Sequence, residues 1–223
     1  MTRAPAIVGV LFGIGLAVAV TLTGPLLLFN PWFTSALQDR HGVATELGTT
    51  QVEVDRVTGA ILGDLYLNGS FDVSLDGEQP LLDDRERSHM SDVSRLVQLL
   101  AAVVVMSLVT AAVTGAWLRR ERQRQGRIMF TAAGSIGAAA LALAIVFAVA
   151  FEPAFLAFHA IFFPPGTYLF EEGSQLIVLF PDGFWFDASL VAGTAIILTA
   201  AVVALIGFAR WRGGHEDVST DLH

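Results

Sequence analysis

The chain contains no cysteine and no lysine. Without thiols it cannot build a disulfide framework, a thiolate nucleophile or a cysteine metal site. All 13 basic residues are Arg, and 21 Asp and Glu outweigh them to a net charge of −8. With no basic run interleaved with aromatics, the composition does not suggest a nucleic-acid binder. The long apolar runs lack acids, Arg and His, apart from Asp187 at the edge of the last one. A pump, proton relay or channel normally carries ionisable groups inside the membrane, which argues against those classes.

What is present is apolar surface. Of 223 residues 54% are hydrophobic, and the mean hydropathy is +0.62, a membrane-protein composition. Four runs are long enough to span: 6–29, 97–118, 128–151 and 187–209. In the first, Ala17-Val18-Ala19 resembles a signal-cleavage site, but the apolar run continues ten residues further, so an uncleaved span is expected. Gly24-Pro25 suggests a kink there, and Trp32 in Asn30-Pro31-Trp32 an interfacial anchor. The loop 119–127 carries five Arg, and Arg210 and Arg212 follow the fourth run. By the positive-inside rule the loop and the tail 210–223 are cytoplasmic, with Arg3 and the N-terminus on the same side. Segments 30–95 and 152–186, both acidic, are then extracytoplasmic. The fold class expected is an all-α membrane protein, with four transmembrane helices and a small extracytoplasmic cap, in the bacterial plasma membrane. The tail 213–223 is expected to be disordered.

Within 30–95, Thr50-x-x-Glu53 is a capping-box pattern. Val54, Val57, Ile61 and Leu65 follow at helical spacing, and Asn68-Gly69 closes that helix. The rival is a hairpin turning at Asn68-Gly69, but the period upstream is nearer 3.6 than 2. Phe71, Val73 and Leu75 alternate as in a short strand before an Asp76-Gly77 turn. Asp83 or Asp84 can cap the next helix.

That helix carries Glu86, His89 and Asp92, three residues apart and hence on one face, about two turns from the second span. His159 lies in the other extracytoplasmic connection, among phenylalanines. Taken singly, His89 reads as a surface histidine paired with Glu86 or Asp92, and His159 as an interfacial one. Brought together, they would form an acid/base pair, with the carboxylates orienting the His89 ring. The remaining histidines read as solvated: His41 in a loop, His215 and His223 in the tail. Ser88 and Ser91 flank His89, but such close helix neighbours point elsewhere, so no Ser–His nucleophile is expected.

Asp84-Arg85-Glu86-Arg87-Ser88-His89-Met90-Ser91-Asp92-Val93, followed by a span, resembles the signature of the lipoprotein intramolecular transacylases. So do Phe158-His159-Ala160-Ile161-Phe162-Phe163, Leu176-Ile177 and Phe180-Pro181-Asp182-Gly183-Phe184-Trp185. The resemblance covers about residues 6–210; Tyr168 stands where that pattern leads one to expect Trp. It implies that the sn-2 acyl chain of a diacylglyceryl lipoprotein moves to the α-amine of its N-terminal cysteine, giving a lyso-form lipoprotein. His89 and His159 would be catalytic, Glu86 and Asp92 supporting, and Arg85 and Tyr168 substrate contacts. An ester becoming an amide is downhill and needs no cofactor. The partners implied are the lipoprotein N-terminus and membrane lipid, with a monomeric enzyme. Two alternatives stand beside it. One is a metal-dependent lipid hydrolase using His89, His159, Glu86 and Asp92 as ligands. The other is a non-enzymatic adaptor at the outer face, anchored by its aromatics.

Overall fold

A computed structural model describes residues 4–75, 77, 79–171 and 173–220. Arg3, Asp76 and His223, and the side chain of His215, lie outside the described residues. In chain order the elements are α1 (Ala6–Leu28), α2 (Pro31–Arg40), α3 (Val43–Glu46) and α4 (Gln51–Leu67). The strands β1 (Ser74–Leu75) and β2 (Gln79–Pro80) follow, then α5 (Asp84–Leu118), α6 (Arg122–Val149), α7 (Phe151–Phe162), α8 (Gln175–Leu179) and α9 (Asp182–Thr220). Among the described residues, α1, α5, α6 and Asp182–Gly213 of α9 are long and apolar enough to cross a membrane. The molecule is an almost wholly helical membrane protein.

Several boundaries differ from expectation. Helix α6 begins at Arg122, so the expected loop 119–127 shrinks to 119–121. Gln125 N–H donates to the Glu121 carbonyl at 2.9 Å, and Arg and Gln are good helix formers, so charge alone does not end the helix. Helix α6 ends at Val149, and His159 sits on a separate helix, α7. Helix α9 starts five residues early, at Asp182, and continues through Thr220, where a disordered tail was expected. Helix α2 had no periodic signal. Its N-cap Asn30 accepts the Trp32 N–H at 3.0 Å and Pro31 occupies the first turn. Two of its three buried residues are polar, Thr34 and Gln38, which hides its buried face from a hydrophobic pattern.

The chain divides into two units. The first comprises 1–24, 101–144 and 193–223. Val8, Phe12 and Leu118 are buried together there. Gly126 lies so close to another stretch of backbone that a Cβ would sit 2.5 Å from the Gly207 carbonyl oxygen and the Trp211 nitrogen. Arg124 donates to the carbonyls of Ala4 (2.8 Å) and Pro5 (3.2 Å), and Glu121 accepts the Ala4 N–H.

The second unit comprises 25–100 and 145–192. Its main core gathers Val54, Val57, Ile61 and Leu65 of α4 with Phe71, Leu82, Met90, Leu176 and Leu179. Helix α4 is the one expected: Thr50 Oγ1 accepts the Glu53 N–H, and Asn68 closes it in the left-handed region at φ 53°. A Cβ on Gly69 would collide with the Asp64 carboxylate, which accepts the Phe71 N–H at 2.8 Å. The strand expected at 71–75 is reduced to Ser74–Leu75, paired antiparallel with Gln79–Pro80.

Candidate functional site

The second unit contains the whole site. At the start of α5, Asp83 Oδ1 accepts the Glu86 N–H (2.8 Å) and Glu86 Oε2 accepts the Asp83 N–H (2.7 Å). This reciprocal pair is a capping box with Asp in the cap position, and it starts the helix at Asp84, five residues ahead of His89. The apolar run of α5 begins at Val97, so His89 stands two turns before it. Helix α7 supplies the second imidazole. Phe155 and Phe158 flank His159 on its own helix, and Phe163 follows at its C-cap.

The two imidazoles meet. Their ring centroids are 6.1 Å apart and the planes are 28° from parallel. Phe163 (4.9 Å) and Phe170 (5.5 Å) stand edge-on to His89. Phe155 (4.3 Å), Tyr168 (5.3 Å) and Phe163 (5.5 Å) flank His159. His89 is 6% exposed and His159 is half-buried.

Burial disfavours the charged form of both rings. His89 is lowered to about 4, first by desolvation and then by the neighbouring His159, with Asp92 opposing. His159 is also lowered by desolvation, while its hydrogen bond to Phe155 opposes. Both are therefore neutral imidazoles at pH 7. A carbonyl only accepts, so the 2.8 Å contact from His159 Nδ1 to the Phe155 oxygen places the proton on Nδ1 and leaves the Nε2 lone pair available. His89 Nδ1 is buried without a hydrogen-bond partner.

The carboxylates behave differently from expectation. Glu86 is 2% exposed, and its oxygens accept from Asp83 N–H, from the Ser174 hydroxyl and from Leu176 N–H (2.9 Å). It grips the segment ahead of α8; no hydrogen bond joins it to the His89 ring. Asp92 pairs with Arg95 at 2.6 Å and reaches His89 only through its field. Arg85 Nη2 donates to the Leu169 carbonyl (3.2 Å), with its guanidinium 6.0 Å from the Phe170 ring centre. Tyr168 does reach the pair, against His159. Among the described residues no three His, Asp or Glu side chains converge to hold a metal. With Glu86 taken up by three donors, the ligand set of the metal alternative does not assemble. Ser91 Oγ donates back to the Arg87 carbonyl in its own helix.

His41 is not a solvated loop residue. It caps α2, its Nε2 lies 3.0 Å from Asp187 Oδ2, and Arg40 Nε lies 3.0 Å from the same oxygen. A Cβ on Gly183 would meet its ring at 2.7 Å, so the imidazole is packed as well as paired. Sequence reasoning also missed Phe163, Phe170 and Ser174 as members of the site. The Ser174–Glu86 contact joins residues 88 apart, and no local pattern encodes it.

Fold and site together define a helical integral membrane protein with two neutral imidazoles side by side among aromatic rings. The model of one family, the lipoprotein intramolecular transacylase Lit, matches residues 6–185. The chain belongs to that family. In fold it is similar to the solved structure of the membrane-integral lipoprotein intramolecular transacylase Lit from Bacillus cereus, at a TM-score of 0.78 and 17% identity over 96% of this chain and 97% of that one. A structure of the same protein with a histidine replaced by Arg gives 0.75 and 15% over 95% and 93%. An uncharacterised protein of Aquifex aeolicus (strain VF5) is 29% identical over 125 residues, which cover 56% of this chain. The match spans 55% of that relative's length.

Proposed function

We propose that this chain catalyses an intramolecular O-to-N acyl transfer on a diacylglyceryl lipoprotein. The observation that carries the reading is the pair of neutral imidazoles 6.1 Å apart between rings. The family supports the reaction class, and the geometry fits its proton inventory. The α-amine of the N-terminal cysteine attacks the sn-2 ester carbonyl, and a new C–N bond forms. His159 Nε2, whose lone pair is free because Nδ1 donates to Phe155, accepts the proton leaving that nitrogen. The C–O bond to glycerol then breaks, and the departing oxygen takes the proton back from the His159 imidazolium, which returns the base to its neutral form. His89 stands across the pair to hydrogen-bond the developing oxyanion. No covalent acyl-enzyme is needed. Holding amine and ester in one molecule lowers the barrier by several kcal/mol.

The site opens, in this reading, on the extracytoplasmic side, with both termini cytoplasmic, and the enzyme acts as a monomer on a lipoprotein N-terminus held among membrane lipid. The aromatic walls suit acyl chains. The test is mass spectrometry of the N-terminal peptide of a lipoprotein co-expressed with the chain. Lyso-form peptide is expected with wild type. His89→Ala and His159→Ala should each lower its rate of formation by about 10²–10⁴. The double variant should cost little more than the worse single one, because residues acting as a unit are not additive. Wild-type yield from His159→Ala would sink the two-histidine mechanism.

A further inference from the structure

We infer that Glu86 is a positioning residue: through Ser174 and Leu176 it holds Phe163 and Phe170 as a dry wall against the His89 ring. The inference rests on the transacylase reading for its meaning in catalysis, and on geometry for its substance.

The segment 163–174 connects α7 to α8 and contributes three rings to the pocket. Phe163 and Phe170 pack against His89, and Tyr168 against His159. A connection of this kind has little regular structure to hold it. Within it, Thr167 donates both its N–H and its hydroxyl to the Pro164 carbonyl, which makes one local turn. Its middle is tied to α5 by Arg85, whose guanidinium donates to the Leu169 carbonyl. Its far end is tied by Glu86, through the Ser174 hydroxyl and the Leu176 N–H. Both ties come from the first turn of α5, one turn ahead of His89. Arg85 is exposed and its bond is easily exchanged for water, whereas Glu86 is 2% exposed.

Hydrogen bonds to a carboxylate are roughly twice as strong as neutral ones, more so in a low-dielectric setting. Removing one partner of such a buried set leaves the others with their desolvation unbalanced. The same carboxylate also completes the cap of α5, so helix start and wall are locked by one group. His89 Nδ1, buried and unpartnered, is what the wall keeps dry. If the clamp loosens, water reaches that nitrogen and its solvation favours the imidazolium. The groups that act electrostatically on His89 are His159 from α7 and Asp92 from its own helix. Arg85 is one step removed, across Phe170.

Ser174→Ala removes one donor from Glu86. Glu86→Gln keeps a carbonyl for Ser174 and Leu176 but turns an amide NH2 towards the Asp83 N–H. Ser174→Thr retains the hydroxyl. The experiment is NMR of the full chain in micelles, with isotope-labelled histidine. The His89 signal is assigned by its loss in His89→Gln, and the same variants are assayed for lyso-form product across pH. In Ser174→Ala and Glu86→Gln the His89 midpoint should rise by about one unit towards the ordinary imidazole value. The rate should fall by roughly 10- to 10²-fold, as expected for misplaced reacting groups. Ser174→Thr, which retains the hydroxyl, should leave both the His89 midpoint and the rate near their wild-type values. A His89 midpoint unmoved in both variants overturns the inference, whether or not the rate falls. A midpoint that moves while even wild type yields no lyso-form product supports the clamp and removes the transacylase reading.

Discussion

His159 gives its Nδ1 proton to the Phe155 carbonyl, and His89 leaves its own Nδ1 without a partner. That asymmetry distinguishes two residues of the same type. One ring has a fixed tautomer with an available lone pair; the other has a buried edge held dry by phenylalanines. Both folded-state values lie below the ordinary 6.5, that of His89 at about 4. The sign follows from linkage. The unfolded chain binds protons that these folded rings refuse, so stability rises with pH through this window. It is fully present above about 6.5 and lost progressively towards about 4. Thermal melts in detergent should therefore fall across that interval, and His89→Leu should flatten the slope. In the same window the rate of lyso-form production should hold at pH 7 and drop on the acid side as the base takes up a proton. A rate that increases on acidification from pH 7 would contradict the base assigned to His159.

At the scale of elements, α2 shows how a polar side chain can carry a packing role. Gln38 Nε2 donates to Thr58 Oγ1 and to the Leu179 carbonyl, both at 3.0 Å, and Gln38 Oε1 accepts from Thr58. One buried amide thereby joins α2, α4 and α8. Gln38→Leu keeps the volume and removes every one of these bonds. The Leu179 carbonyl loses this donor and Thr58 its amide partner, at about 1–3 kcal/mol for each buried group left unsatisfied. The expected outcome is a lower unfolding temperature without loss of the His89–His159 arrangement, read by melts beside histidine NMR. An unchanged melt would show that the three elements are held by apolar packing alone. The short helix α7 makes the complementary point. It has no fully buried residue, yet it carries His159 to the pair, because the rings that flank His159 are largely its own neighbours in sequence.

For the whole molecule, the distribution of charge predicts orientation. Five Arg cluster at 119–127 in one unit, while the segments 30–95 and 152–186 of the other are acidic. Single cysteines can be introduced without competing thiols, because the chain has none. Ser88→Cys and Glu171→Cys, both at exposed positions, should react with a membrane-impermeant reagent on intact cells. Arg122→Cys, also exposed, should react only after permeabilisation. Gln125 is unsuited as a reporter, since it is buried and bonded to the Gly115 carbonyl. Labelling of Arg122→Cys alone in intact cells would invert the orientation and put the histidine pair on the wrong side for a secreted lipoprotein.

Four apolar runs, the cap at Thr50, the stop at Asn68 and the helix through Glu86, His89 and Asp92 were all legible in the sequence. Each depends on residues within a few positions of one another, where periodicity and capping chemistry act. The resemblance of two motifs to one family added the expectation that His89 and His159 meet. Their 6.1 Å separation, and the wall of Phe163, Tyr168 and Phe170 around them, were decided by tertiary packing. So was the partner of Glu86. Helical spacing puts Glu86 on the face of His89, but a carboxylate goes to the donors that packing brings nearest, and those came from Ser174 and Leu176. His41 found Asp187, 146 residues away, for the same reason. Local order follows from near neighbours along the chain, whereas the protonation and pairing of a buried group depend on what the fold removes from water around it.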